Sequence, residues 1–171
     1  DGQPVARADG VHRLVRSPGE FESGKDLRGV ADVQQMVRDG APLVSMVLFA
    51  STPDFQAFYL HTSRLAQHTQ DMLKDKRTSL MISELSTNPL IDPQRLRRIS
   101  LVGEAAEVPK DSLEYADAQV LYLDKYPQLD YTFQLGDFDF FRFTPHKARY
   151  VAGFAKAFNL EPQDLKRAVL G

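Results

Sequence analysis

Cysteine is absent from the 171-residue sequence. Disulfides, thiolate nucleophiles and cysteine-based zinc sites are thereby excluded, and the absence fits a cytoplasmic protein. An excess of one charge is also lacking: 21 Lys and Arg face 23 Asp and Glu, for a net charge of −2. That balance gives no overall drive toward nucleic acid or acidic membranes, and it leaves a local basic patch open. Long apolar runs are missing. The longest uncharged stretch, Gly40 to Pro53, is too short to cross a bilayer and carries polar residues, so neither a membrane span nor a membrane partner is expected. No basic region followed by an apolar one opens the chain, and no signal peptide is read. Phosphate-cradling glycine motifs do not occur, nor does the G-x-S-x-G elbow of serine hydrolases. There is no internal repeat and no low-complexity tract.

What is present reads as strands. Gly29 to Val37 is a first strand, ended by the turn signal Asp39-Gly40. Pro42 to Ser51 follows, apolar on both faces over Met46 to Phe49, as a strand buried on both sides would be. Arg97 to Val108 alternates, and Gly103 within it marks a bulge or a close backbone approach. Asp137 to Thr144 is the most aromatic strand, and its Phe138, Phe140, Phe141 and Phe143 read as core rather than as a stacking platform. A turn at Pro145-His146 then leads to a last strand, Ala148 to Phe154. Pro109 and Asp111 open a helix whose Leu113, Ala116, Val120, Leu121 and Leu123 have helical spacing, and Pro127 ends it. Residues 1–28 form an arm with a short helix, residues 29–160 the main domain and residues 161–171 a C-terminal helix. Six or so strands with few helices, joined by short turns, argue for a mainly β fold, a closed antiparallel barrel with peripheral helices; periodicity alone does not choose between barrel and sandwich.

The chemistry concentrates in Ala57 to Glu84, a strand, a short helix and a second strand. Thr62 and Ser63 offer hydroxyls where a helix needs an N-cap. With Arg64 beside them they either cap the helix or complete an anion site at its N-terminus. Arg95, Arg97 and Arg98 open the neighbouring strand and add charge. The histidines are His12, His61, His68 and His146, and no pair has metal-ligand spacing with a third ligand nearby. No metal site is therefore expected. His68, about one turn into the helix, is the best placed for function.

Five motifs in order carry a family resemblance. They are Ala41-Pro42-Leu43-Val44-Ser45, then Ser63-Arg64-Leu65-Ala66-Gln67-His68-Thr69, Asp75-Lys76-Arg77-Thr78-Ser79-Leu80, Arg98-Ile99-Ser100-Leu101-Val102-Gly103 and Tyr150-Val151-Ala152-Gly153-Phe154. In this series the sequence resembles the pyridoxamine 5′-phosphate oxidase-like, FMN-binding split-barrel proteins, and among them the haem-utilisation subgroup. The resemblance implies a six-stranded antiparallel split barrel that forms a homodimer, with FMN in a groove between protomers. It implies that the backbone of Met46, Val47 and Leu48 faces the flavin and that His61 and Thr62 line its phosphate end; Ser45, Ser63, Arg64 and Arg98 complete the set of cofactor-binding candidates. Gln67 and His68 stand where the oxidases carry Arg-Lys, and Ser45 and Ala50 stand where they carry two further cations. Vitamin B6 oxidation is therefore not expected. The axial histidine of the haem subgroup has no counterpart at Ala157-Phe158. The function implied is an FMN-binding oxidoreductase of unknown substrate. The alternatives are a haem-binding or haem-degrading protein, with His68 or His146 on the iron and Arg64 on a propionate, and a non-catalytic ligand- or partner-binding barrel.

Overall fold

The structure, a computed structural model, describes residues 30–36, 42–84, 88, 90–154 and 156–170. The expected N-terminal arm and the Asp39-Gly40 turn lie outside the described residues. Among the described residues seven strands occur, in the order β1 (Val30–Met36), β2 (Pro42–Ser51), β3 (Phe58–Ser63), β4 (Arg77–Ser83), β5 (Arg98–Glu107), β6 (Phe138–Val151) and β7 (Ala157–Leu160). Helix α1 (Gln67–Lys74) joins β3 to β4. Helix α2 (Leu113–Lys125) and the 3-10 segment Pro127–Gln134 join β5 to β6, and α3 (Pro162–Leu170) follows β7.

The sheet runs β3-β2-β1-β4-β5-β6-β7, and β3 also pairs with β6. Six strands thus close into the expected antiparallel barrel, and β7 is an additional strand on the outside of β6. Alternation along each strand sets the interior. Phe58 and Leu60 of β3, Leu80 and Ile82 of β4, Ile99 and Leu101 of β5, and Phe141 and Phe143 of β6 are all sealed from solvent. Phe58 meets Phe143 directly across the β3–β6 seam, with ring centroids 6.1 Å apart. Each such side chain contributes roughly 1.5–3 kcal/mol of transfer free energy. The aromatic run in β6 is core, as its pattern implied.

A second apolar cluster lies on the outer face, where α2 covers β2, β3 and β6. It joins Tyr59, Ala118, Tyr122, Tyr126 and Phe140. The Tyr126 hydroxyl donates to the Phe49 carbonyl at 3.1 Å, and the Lys125 ammonium lies 3.8 Å from the centroid of the Phe49 ring.

Three expectations change. β6 is one strand from Phe138 to Val151, not two strands with a turn at Pro145. Pro145 pairs with Gly103, where the β5–β6 register shifts. At that irregularity the missing proline N–H costs no ladder bond. Second, α2 buries Ala118 and Tyr122, not the Leu113 and Val120 stripe. Leu113 is 87% and Val120 69% exposed, because the large tyrosines of the opposite stripe have both area to bury and a hydroxyl to satisfy. Third, α1 begins at Gln67 with Ala66 at its N-cap and no side-chain cap bond. Thr62 and Ser63 belong to β3 instead.

Candidate functional site

The β3 end, the start of α1 and the first residues of β6 converge, and most of the candidate residues lie there. Each hydroxyl proposed as a cap has another partner. Thr69 Oγ1 donates to Thr62 Oγ1 at 3.0 Å inside the protein. Ser63 Oγ donates to Asp137 and accepts from the Leu65 N–H at 3.1 Å. The sequence could not distinguish these uses from capping, because the partners Asp137 and Thr69 come from the residue just before β6 and from the first turn of the helix.

Arg64 is held by carboxylates. Its Nε donates to Asp139 and its Nη2 to Glu107. Asp139 is almost fully buried and also receives Lys110, whose Nζ lies 2.8 Å from Oδ1. Burial alone would raise the Asp139 carboxyl, but Lys110 and Arg64 outweigh it and hold it below the usual carboxylate range. The guanidinium therefore serves a buried anion of this chain rather than facing an open site. Removing it strips one of two cations from that anion. Arg64→Ala is expected to lower unfolding stability by about 1–2 kcal/mol in urea titration, while leaving the affinity for any anionic ligand within twofold.

His61 is 6% exposed and enclosed by rings. Phe133 stacks on it at 4.1 Å and 11°, Phe140 lies at 4.7 Å, Phe138 at 5.3 Å and Tyr122 at 5.5 Å. Nδ1 lies 3.2 Å from Thr132 Oγ1, and that hydroxyl donates to the Leu129 carbonyl at 2.7 Å. Nδ1 is then the protonated nitrogen, and Nε2 is a buried lone pair without a partner. Burial pushes this imidazole down to about 4, against the pull of Asp139 and with the push of Lys110. Thr132, Phe133 and Tyr122 were missed from sequence, since only the folding of α2 and of the 3-10 segment over β3 brings them to His61.

His68 is half-buried on α1 and makes no hydrogen bond to any described residue. Burial lowers its imidazole, opposed by Asp71. Gln67 donates to Asp71 Oδ1 at 2.9 Å, and Asp71 Oδ2 is buried without a partner. On β2, Val47 is buried, Ser45 and Leu48 are partly covered and Met46 is 66% exposed. Ala50, one of the positions where a cation is replaced, is buried in the outer cluster under α2. Arg98 Nη1 reaches only the Leu96 carbonyl, at 3.4 Å, and Arg97 pairs with Glu84 at 2.7 Å. His146 is exposed beside the β5–β6 bulge, away from this convergence in the chain. Among the described residues no group of three His, Asp or Glu is placed to hold a metal ion, and no helix is long and apolar enough to cross a membrane.

Comparison with known proteins fits this architecture. Over 122 residues the chain is 37% identical to the "Non-canonical heme oxygenase HOZ, chloroplastic" of Arabidopsis thaliana. The match takes in 70% of this chain and 35% of that protein, so the chain spans about a third of its length. The fold superposes on a heme binding protein from Mycobacterium smegmatis with a TM-score of 0.77 at 21% identity, covering 94% of this chain and 60% of that one. It also superposes on a Clostridium acetobutylicum protein of the pyridoxinephosphate oxidase family, with a TM-score of 0.60 at 17% identity, covering 91% of this chain and 98% of that one. The split barrel expected from the motifs is thus the fold these proteins share. Residues 26–165 match the family model described as "CREG, beta-barrel", and the chain belongs to that family of split barrels.

Proposed function

We propose that this chain is a haem-binding split-barrel domain, with His68 as the iron ligand. The observation that carries the reading is the electrostatic state of the β3–α1 junction. A phosphate needs a cation free to meet it, and Arg64 is already engaged by two carboxylates. An iron ligand needs a neutral imidazole, and His68 is half-buried, without a hydrogen bond to any described residue and biased toward the neutral form by burial. The residues present thus fit haem better than the phosphate of FMN. Likeness to a haem oxygenase over 122 residues supports the same direction. Bound haem would supply the redox and oxygen chemistry, while this chain's part is to ligate and to exclude water. Pairing of two copies through the outer face of β2, where Met46 is exposed, would cover the site in a homodimer.

Haem titration of the purified protein is expected to give a shifted Soret band, and His68→Ala to abolish it while the far-ultraviolet circular dichroism stays unchanged. The FMN-dependent oxidoreductase reading is tested in the same preparation. It replaces the haem reading if added FMN stays bound through gel filtration and haem does not.

A further inference from the structure

Two loops at one end of the barrel carry exposed apolar tips. In the β4–β5 connection, Leu90 is 90% and Ile91 42% exposed, and in the β6–β7 turn Phe154 is 69% exposed. The loops touch. A Cβ placed on Gly153 would lie 3.3 Å from the Arg95 carbonyl oxygen, and Arg98 pairs with Val151 across the β5–β6 ladder. Each has fixed hydrogen bonds among its described residues. Asp92 accepts from the Gln94 N–H at 2.9 Å to cap the 3-10 turn Pro93–Arg95, and Ala152 N–H donates to the Lys156 carbonyl at 2.8 Å.

The same stretches are basic. Residues 88–98 and 149–156 hold five cations, Arg95, Arg97, Arg98, Arg149 and Lys156, against one acid, Asp92. Glu84 neutralises Arg97, while Arg95, Arg149 and Lys156 are exposed. This local excess stands out in a chain whose net charge is −2. Exposed apolar tips inside a basic frame match the two signals that reversible attachment to an anionic bilayer uses, insertion and electrostatic attraction.

We propose that this end of the barrel docks on an anionic lipid surface. Leu90, Ile91 and Phe154 enter the interface, and Arg95, Arg98, Arg149 and Lys156 lie at headgroup level. Nucleic acid fits less well, because two of the three tips are aliphatic and offer no face on which bases stack. The attachment is peripheral and independent of the haem reading.

The sequence contains no tryptophan, so Phe154→Trp places a single tryptophan at the tip, excited selectively over the tyrosines at long wavelength. Its emission is expected to shift to the blue and to be quenched by brominated lipid when phosphatidylcholine vesicles containing phosphatidylserine are added, and not with phosphatidylcholine alone. Co-sedimentation with the anionic vesicles is expected to fall at least about tenfold in the double variant R95E/K156E, and to fall likewise in about 0.5 M salt, where the Debye length is only a few ångströms. The proposal is overturned if the folded F154W protein does not respond to anionic vesicles, if R95E/K156E sediments with them unchanged, or if the tryptophan responds to single-stranded oligothymidylate instead of to lipid.

Discussion

Gly103→Ala is expected to prevent stable folding. A Cβ at this position would lie 2.0 Å from the Thr144 carbonyl oxygen, 2.9 Å from its carbon and 3.0 Å from Phe143 Cζ. The first two are backbone atoms in the middle of a paired strand, so no side chain can swing aside to make room. The β5–β6 ladder would have to open at its register shift between Val102 and Gly103, and Phe143 would move with it. Phe143 is fully buried and packs on Phe58 at the seam that closes the barrel. Relief at one strand pair would therefore disturb packing at the next. The loss should be about 4 kcal/mol or more, against a typical total of about 5–15 kcal/mol. Gly136→Ala is the control, because a Cβ there meets nothing within 4 Å, and its unfolding free energy from urea titration should differ by less than about 0.5 kcal/mol. A Gly103→Ala protein with an unchanged midpoint would show that the strands are not this close.

That glycine was among the features legible in sequence, because a glycine inside an alternating strand has few explanations. The bounds of β2 were legible too, since Pro42 and the Thr52-Pro53-Asp54 turn punctuate an apolar run on both sides. The ends of α2 were readable from Pro109 and Pro127, but its buried face was not. Periodicity offers two stripes on that helix, Leu113–Ala116–Val120 and Tyr115–Ala118–Tyr122. Choosing between them requires the outer face of β3 and β6, where Tyr59 and Phe140 wait. The turn expected at Pro145 failed for a related reason. Proline breaks a regular ladder, yet here the opposing Gly103 has already broken it.

The candidate site was legible as a location and not as a set of roles. The motifs around Ser63 to Thr69 pointed to the junction of β3 and α1. What they could not carry was the competition for each polar group. Arg64 looks like an anion-binding residue until Asp139 and Glu107 arrive from β6 and β5, each more than 40 positions away in the chain. Asp137 and Asp139 were visible as charges flanking an aromatic strand, and that was the one signal from which their role could have been drawn.

His61 should make the fold acid-labile above the range in which carboxylates titrate. Its imidazole is ordinarily half-protonated near 6.5, and burial among Phe133, Phe138, Phe140 and Tyr122 pushes it down to about 4. Above pH 6.5 the ring is neutral in both folded and unfolded chains, and stability is at its full value. As pH falls below 6.5 the unfolded chain takes up a proton that the folded chain refuses, so the balance moves toward unfolding until the folded ring protonates near 4. The interval corresponds to about 3 kcal/mol. The lowered imidazole of His68 adds in the same direction. Asp139, Asp54 and Glu84 are all held below the ordinary carboxylate range, so their losses come at lower pH and leave the window between about 6.5 and 4.5 to the histidines. His61→Phe keeps a ring in the cage and removes both the proton and the orphaned Nε2, at the loss of the Thr132 contact. At pH 7 it should change stability by less than about 1.5 kcal/mol. Urea titrations across the window should then show a slope reduced to the residual part owed to His68. An unchanged slope in His61→Phe would mean that this ring already meets water in the folded protein, and that the aromatic cage opens far more readily than its packing implies.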